Sequence, residues 1–165
     1  MTDLSELGLL IDTLSFDPTD DELKQIYKIF KNDFIDSQVF IDDKKIKIIL
    51  EKSRIPEFRD YPETFVHIIT RKSPYSGKRN FEPARANRIH WIKEIIQQRN
   101  DARIKYFKWL DADNILKEHY WFEEGDFMIV LKEVSKDLMI ITAFCVDETE
   151  KTKYKKRYRQ YQTSR

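Results

Sequence analysis

The chain is predicted to fold as an α+β domain, and three features of its 165-residue sequence carry that expectation. Apolar residues recur at helical spacing before position 36, and short β-rich runs follow between 38 and 146. A single helical stretch near 83–98 interrupts those runs. The expected architecture is N-terminal helices packed on a twisted antiparallel sheet of four to six strands, with one inserted helix and a basic C-terminal helix. Residues 1–36 would form the helical part and 37–165 the α+β part of a single compact domain, a length that supports one core.

In order, Leu4, Leu7, Leu10, Ile11 and Leu14 share a helical stripe that Pro18 terminates. Thr19 or Asp20 caps a second helix with Leu23, Ile26, Tyr27, Phe30 and Phe34 on one side, and Asp21 and Glu22 at the positive end of its dipole. From Val39–Ile41 to Ile46–Leu50 the pattern reads as a hairpin about Asp42-Asp43. Ser53–Glu63, with Pro56 and Pro62, reads as a loop, Phe65–Thr70 as a strand, and Arg71–Asn80 as a basic loop. Pro83 suits the first turn of a helix running to about Gln98. Ile104–Leu110, Phe127–Leu131 and Leu138–Val146 read as antiparallel strands, residues 115–122 as either strand or helix, and Glu148–Tyr161 as a helix.

Composition excludes several classes of function. The longest uncharged apolar run, Leu138–Val146, is far short of the roughly 20 residues a membrane span needs. Asp3, Glu6 and Asp12 stand where a secretory signal would carry lysines, so a cytoplasmic protein is expected. Cys145 is the single cysteine and histidines number three, which excludes an internal disulfide and a multi-thiolate zinc site, so neither metal nor cofactor is expected. With three glycines the chain has no phosphate-cradling loop and no dinucleotide fingerprint. Net charge is only +1, yet it is unevenly spread: residues 1–66 hold 15 acids and 9 bases, whereas 67–108 hold 11 bases, three acids and the aromatics Tyr75, Trp91, Tyr106 and Phe107. Basic residues interleaved with aromatics suit nucleic acid, although a solvated face balancing the acidic N-terminal part has the same signature.

Four residues stand out as candidates for chemistry. On a wheel of the 83–98 helix, Arg85 and Arg88 fall on the side of Ile89, Ile92, Ile95 and Ile96, and two inward guanidiniums near a helix start suit a phosphate. Pairing with carboxylates is the structural alternative. In the 65–70 strand, His67 alternates with Phe65 and Ile69 and precedes the cationic Arg71, Lys72, Lys78 and Arg79. Those charges favour its neutral form, as a general base requires. In the last strand Leu138, Ile140, Thr142, Phe144 and Val146 share one face, with Thr142 the only hydroxyl. His90 and His119 are weaker candidates.

Taken in order, F-V-H-I at 65–68, R-A-N-R-I-H-W-I at 85–92, the Phe127–Leu131 strand and I-T-A-F at 141–144 before a basic tail resemble the phage-type branch of the barnase, EndoU, colicin and RelE-like (BECR) nuclease superfamily. The resemblance spans about residues 38–160. It implies a metal-independent ribonuclease toxin, often aimed at tRNA, with an immunity protein or antitoxin as partner. It makes His67 the histidine of the strand motif, Arg85 and Arg88 the arginines of the helix motif, and Thr142 the hydroxyl of the last strand. Colicin D-like members carry lysines beside the histidine; Val66 and Ile68 stand there here, which leaves charge stabilisation to the arginines. The expected activity is RNA cleavage by attack of the ribose 2′-hydroxyl, with catalytic His67, Arg85, Arg88 and Thr142. Arg71, Lys72, Lys78, Arg79 and Tyr154 would bind RNA, and Tyr154, His90 or water would serve the leaving group. The alternative is a non-catalytic RNA- or protein-binding module using the same basic face.

Overall fold

The computed structural model describes residues 1–165 and is α+β, with five helices, a curled six-stranded sheet and a separate two-stranded ribbon. Helix α1 (Asp20–Phe34) starts where its capping chemistry predicts. Thr19 Oγ1 accepts from the Glu22 amide at 3.1 Å and Glu22 Oε1 from the Thr19 amide at 2.9 Å, and Leu23, Ile26, Phe30 and Phe34 are buried. The stripe ahead of it forms no helix beyond one 3-10 turn, Leu4–Glu6. Residues 8–11 give their hydrogen bonds to distant groups instead. The Leu10 amide donates to the Asn87 carbonyl at 3.1 Å, the Ile11 amide to Asn87 Oδ1 at 2.7 Å, and Trp91 Nε1 to the Gly8 carbonyl at 2.9 Å. Leu7, Leu10, Ile11 and Leu14 still pack on the core.

Strands β1 (Phe40–Ile41) and β2 (Lys44–Lys47) form the expected hairpin, with Asp42 in the left-handed region at φ +55°. A second correction concerns residues 65–69, which are not a strand. They belong to helix α2 (Glu63–Ile69), with Thr64, Phe65, Val66, Ile68 and Ile69 all buried. An apolar run this short carries no decisive period, and burial beneath α1 and against the sheet overrides its β-propensity. The expected basic loop is a ribbon, β3 (Thr70–Lys72) paired antiparallel with β4 (Arg79–Phe81). The predicted 83–98 helix is two, α3 (Pro83–Ala86) and α4 (Trp91–Gln97). Between them Asn87 is buried and bonded to the N-terminal segment, and the chain turns through tight i→i−3 bonds such as Trp91 to Arg88 at 2.9 Å.

Strands β5 (Ile104–Leu110), β6 (Leu116–Phe122), β7 (Phe127–Val134) and β8 (Asp137–Cys145) form an antiparallel meander in which 116–122 is strand. The sheet order is β1-β2-β8-β7-β6-β5, and β2 meets β8 in parallel through Ile46 and Lys47 only, so the sheet is mixed rather than wholly antiparallel. It curls enough for Asp42 and Lys44 at one end to share a pocket with Tyr106 and Glu118 at the other. A bulge shifts the register of β8: Leu131 pairs with Ile140 and Val130 with Thr142, leaving Ile141 unopposed. Leu138 and Ile140 therefore lie in the main core with Ala143. Thr142 shares the opposite face with Val130 and Phe144, which corrects the single face expected for this strand.

That opposite face carries a second, smaller core of Phe107, Trp121, Met128, Val130 and Val146, covered by helix α5 (Lys151–Ser164) through Tyr154, Tyr158 and Tyr161. No helix is long and apolar enough to cross a membrane. Gly125, in the β6–β7 turn, is fixed by close approach: a Cβ there would stand 2.8 Å from ring carbons of both Phe122 and Trp91. Both rings are buried and packed edge-on at 6.1 Å, so they have no room to withdraw. Gly125→Ala is expected to lower stability by about 1–3 kcal/mol in urea unfolding; an unchanged midpoint would show the turn to be looser than its contacts.

Candidate functional site

Two guanidiniums close the C-terminal end of α2. Arg79, from β4, donates through Nη2 to the His67 carbonyl at 3.0 Å and the Thr70 carbonyl at 2.9 Å, and through Nε to Thr70 Oγ1 at 2.9 Å. Arg85, from α3, donates through Nη1 to the same Thr70 carbonyl at 2.8 Å. Thr70 Oγ1 donates back to the Val66 carbonyl at 2.6 Å. Helix-terminal carbonyls and their partial negative charge account for both cations here. Neither arginine has a carboxylate partner, and burial lowers both pKa values, with Arg79 and Arg71 adding to the effect on Arg85.

His67 sits on the outer side of α2 one turn after Glu63, half-buried. Its imidazole is pushed down to about 4, by burial first and then by the charges of Arg79 and Arg85, so it is neutral at pH 7. It lines a cleft of about 220 Å³ with Ser53, Arg54, Glu63 and Arg79. This assembles a neutral imidazole, a hydroxyl, two guanidiniums and one carboxylate around a space large enough for a phosphodiester. Arg54 and Ser53 belong to the loop before Pro56, and no local pattern marks them: only the tertiary fold brings that loop against α2.

The other expected residues are dispersed. Arg88 donates through Nη1 to the Ala84 carbonyl at 2.7 Å and lies 5.1 Å from the Trp91 ring, with its Nε buried and unpaired. Thr142 is on the α5 face of β8 and makes no hydrogen bond to His67, Arg85 or Arg88. Arg85 alone approaches both regions, its guanidinium 5.8 Å from the ring of Phe144 two residues along from Thr142. Arg71 pairs with Asp147 at 2.7 Å, while Lys72 and Lys78 are exposed. Tyr154 packs among Trp121, Phe107 and Phe144 at 6.3, 6.4 and 6.1 Å, and burial raises its hydroxyl pKa. No three His, Cys, Asp or Glu side chains come together as a metal-holding group.

The other histidines are structural in placement. His119 is buried and stacked on Phe107, ring centroids 4.5 Å apart, its Nδ1 unpaired, and burial pushes it down to about 4. Burial likewise lowers His90. An unfolded histidine binds its proton near 6.5 and native His67 and His119 near 4, so between these values protons favour the unfolded chain. Stability is therefore full above pH 6.5 and falls as pH drops towards 4, by roughly 3 kcal/mol for His119 and less for the more exposed His67. Asp33, whose carboxyl burial pushes up to about 6, acts in the opposite sense. The check is the urea midpoint at pH 7.5 and 4.5 for the protein and for His119→Phe; equal acid losses in both would remove His119 from the account.

Comparison with family models, with curated proteins and with solved structures finds no match to this chain.

Proposed function

We propose that the chain is a metal-independent RNA endonuclease of toxin type, acting in the cytoplasm, with tRNA as the substrate class and an immunity protein or antitoxin as partner. The observation that supports this best is the neutral His67 in a cleft that also holds Arg54 and Arg79, with Arg85 behind it. In this reading His67 takes the proton of a ribose 2′-hydroxyl, and the oxygen attacks the adjacent phosphorus. The new O2′–P bond forms as the P–O5′ bond breaks, giving a 2′,3′-cyclic phosphate and a 5′-hydroxyl that takes its proton from His67 or water. Arg54, and the N–H groups that Arg79 and Arg85 do not give to His67 and Thr70, bind the phosphate as its charge grows. Thr142 has no part in this cleft. Because the nucleophile belongs to the substrate, the residues need supply only proton transfer and charge.

A second reading is a protein that binds RNA without cutting it. It is favoured by the main-chain bonds of Arg79 and Arg85, which give both arginines a structural role. Incubating labelled RNA with the protein in EDTA, beside His67→Ala, separates the two. Cleavage to cyclic phosphate ends that the variant loses supports the nuclease; binding without cleavage supports the second reading, and cleavage that persists in the variant removes His67 from the mechanism.

A further inference from the structure

The ribbon β3–β4 has features that capping of α2 does not explain. Its turn is tied tightly: the Ser73 amide donates to the Lys78 carbonyl at 2.7 Å and the Gly77 amide to the Ser73 carbonyl at 3.1 Å, with Gly77 at φ +72°. Ser73 Oγ accepts from the Tyr75 and Ser76 amides at 3.3 and 3.4 Å. The turn holds out Tyr75, which is 98% exposed, between the unpaired cations Lys72 and Lys78. Tyrosine rings are ordinarily half-buried, because leaving the ring in water forgoes a large apolar contact.

At the base of the ribbon a second aromatic is exposed. Phe16, 73% exposed, faces Arg71, Lys72 and Asn80 across a pocket of about 430 Å³ that Glu82 also lines. Phe16 and Asn80 continue into a neighbouring hollow that includes Arg79, and Arg79 is a wall of the His67 cleft. Asp17, Asp20 and Glu57 line that intermediate hollow, so a polyanion would cross it by its bases rather than its phosphates. Exposed rings spaced along a cationic ribbon and joined to a phosphate-sized cleft match the requirements of an unpaired strand, whose bases offer π-faces to stack. A duplex keeps those faces inside its own stack.

We propose that single-stranded RNA runs from the His67 cleft along the ribbon, with one base on Phe16 and a further base on Tyr75, and with Lys72 and Lys78 meeting the phosphates between and beyond them. The inference rests on the RNA-directed reading of the cleft but not on cleavage. It makes loops and unpaired ends, not duplex stems, the bound class.

The test uses the full chain carrying His67→Ala, so that RNA survives, and fluorescence anisotropy with a labelled 12-nucleotide single strand and the same sequence as duplex. Phe16→Ala and Tyr75→Ala are each expected to raise the Kd for the single strand roughly 10-fold, leaving duplex affinity and the salt slope unchanged. Tyr75→Trp is expected to restore binding. Lys72→Ala is expected to reduce the salt slope by about 0.7. Single-strand affinities within two-fold of the parent for both aromatic variants, or duplex bound as tightly as single strand, would overturn the proposal. Failure of the chain with His67 intact to cleave RNA would overturn only the nuclease reading, since these affinities are measured without cleavage.

Discussion

His67→Ala is expected to lower metal-independent RNA cleavage by about 10²–10⁴-fold, the usual contribution of a positioned general base. Fold is expected to be retained, because the imidazole lies on the outer side of α2 while Phe65, Val66, Ile68 and Ile69 hold the helix in place. The pH dependence makes the prediction specific. With its proton bound only near 4, His67 is ready as a base throughout the neutral range. The acid limb of kcat/KM should therefore fall near pH 4, not near the 6.5 of a solvated imidazole. His67→Gln, which keeps a polar side chain but cannot take the proton, should be as inactive as the alanine variant. A limb near 6.5, or activity surviving in His67→Gln, would mean that another group performs the transfer.

Phe65→Ala is expected to destabilise the protein by about 3–5 kcal/mol in denaturant unfolding. Phe65 is fully buried and joins three rings, with centroids at 5.0 Å from Tyr27, 5.3 Å from Phe30 and 5.5 Å from Tyr61. Tyr27 and Phe30 come from α1 and Tyr61 from the loop that carries Arg54, so this one side chain links the N-terminal helix, the loop and α2. Its removal loses the apolar transfer free energy and leaves a cavity that the surrounding helices cannot close. The cleft should loosen with it, since Arg54 and His67 lie on the two segments that Phe65 holds together. A loss under 1 kcal/mol would show that α1 and α2 do not depend on this aromatic cluster.

Much of the fold is legible before any coordinates. Thr19 and Glu22 fix the start of α1 by hydrogen bonds that span only three residues. Asp42 tolerates the left-handed turn between β1 and β2. Strands β5, β7 and β8 follow from their composition and turns, and the basic run from Lys151 forms the terminal helix as expected, whereas residues 116–122 become strand only through pairing with β5 and β7 on either side. The candidate site is less legible. His67 and Arg79 can be picked out by residue type and neighbouring charge, whereas Arg54 and Ser53 carry no local mark, and Thr142 is separated from the others by a one-residue bulge opposite Val130 and Leu131.

Local spacing, caps and turn residues act over a few positions, so the sequence alone determined the α+β class, helix α1, the first hairpin, the strands β5, β7 and β8 and the C-terminal helix, and left β6 open between strand and helix. Residues 65–69 as helix, residues 8–11 bonded to Asn87 and Trp91, and the arginines drawn to the end of α2 were decided only by the tertiary structure. In each case burial of a short apolar run, or pairing of a buried polar group with a partner far along the chain, outweighs local preference, and those energies exist only once the distant segments have met.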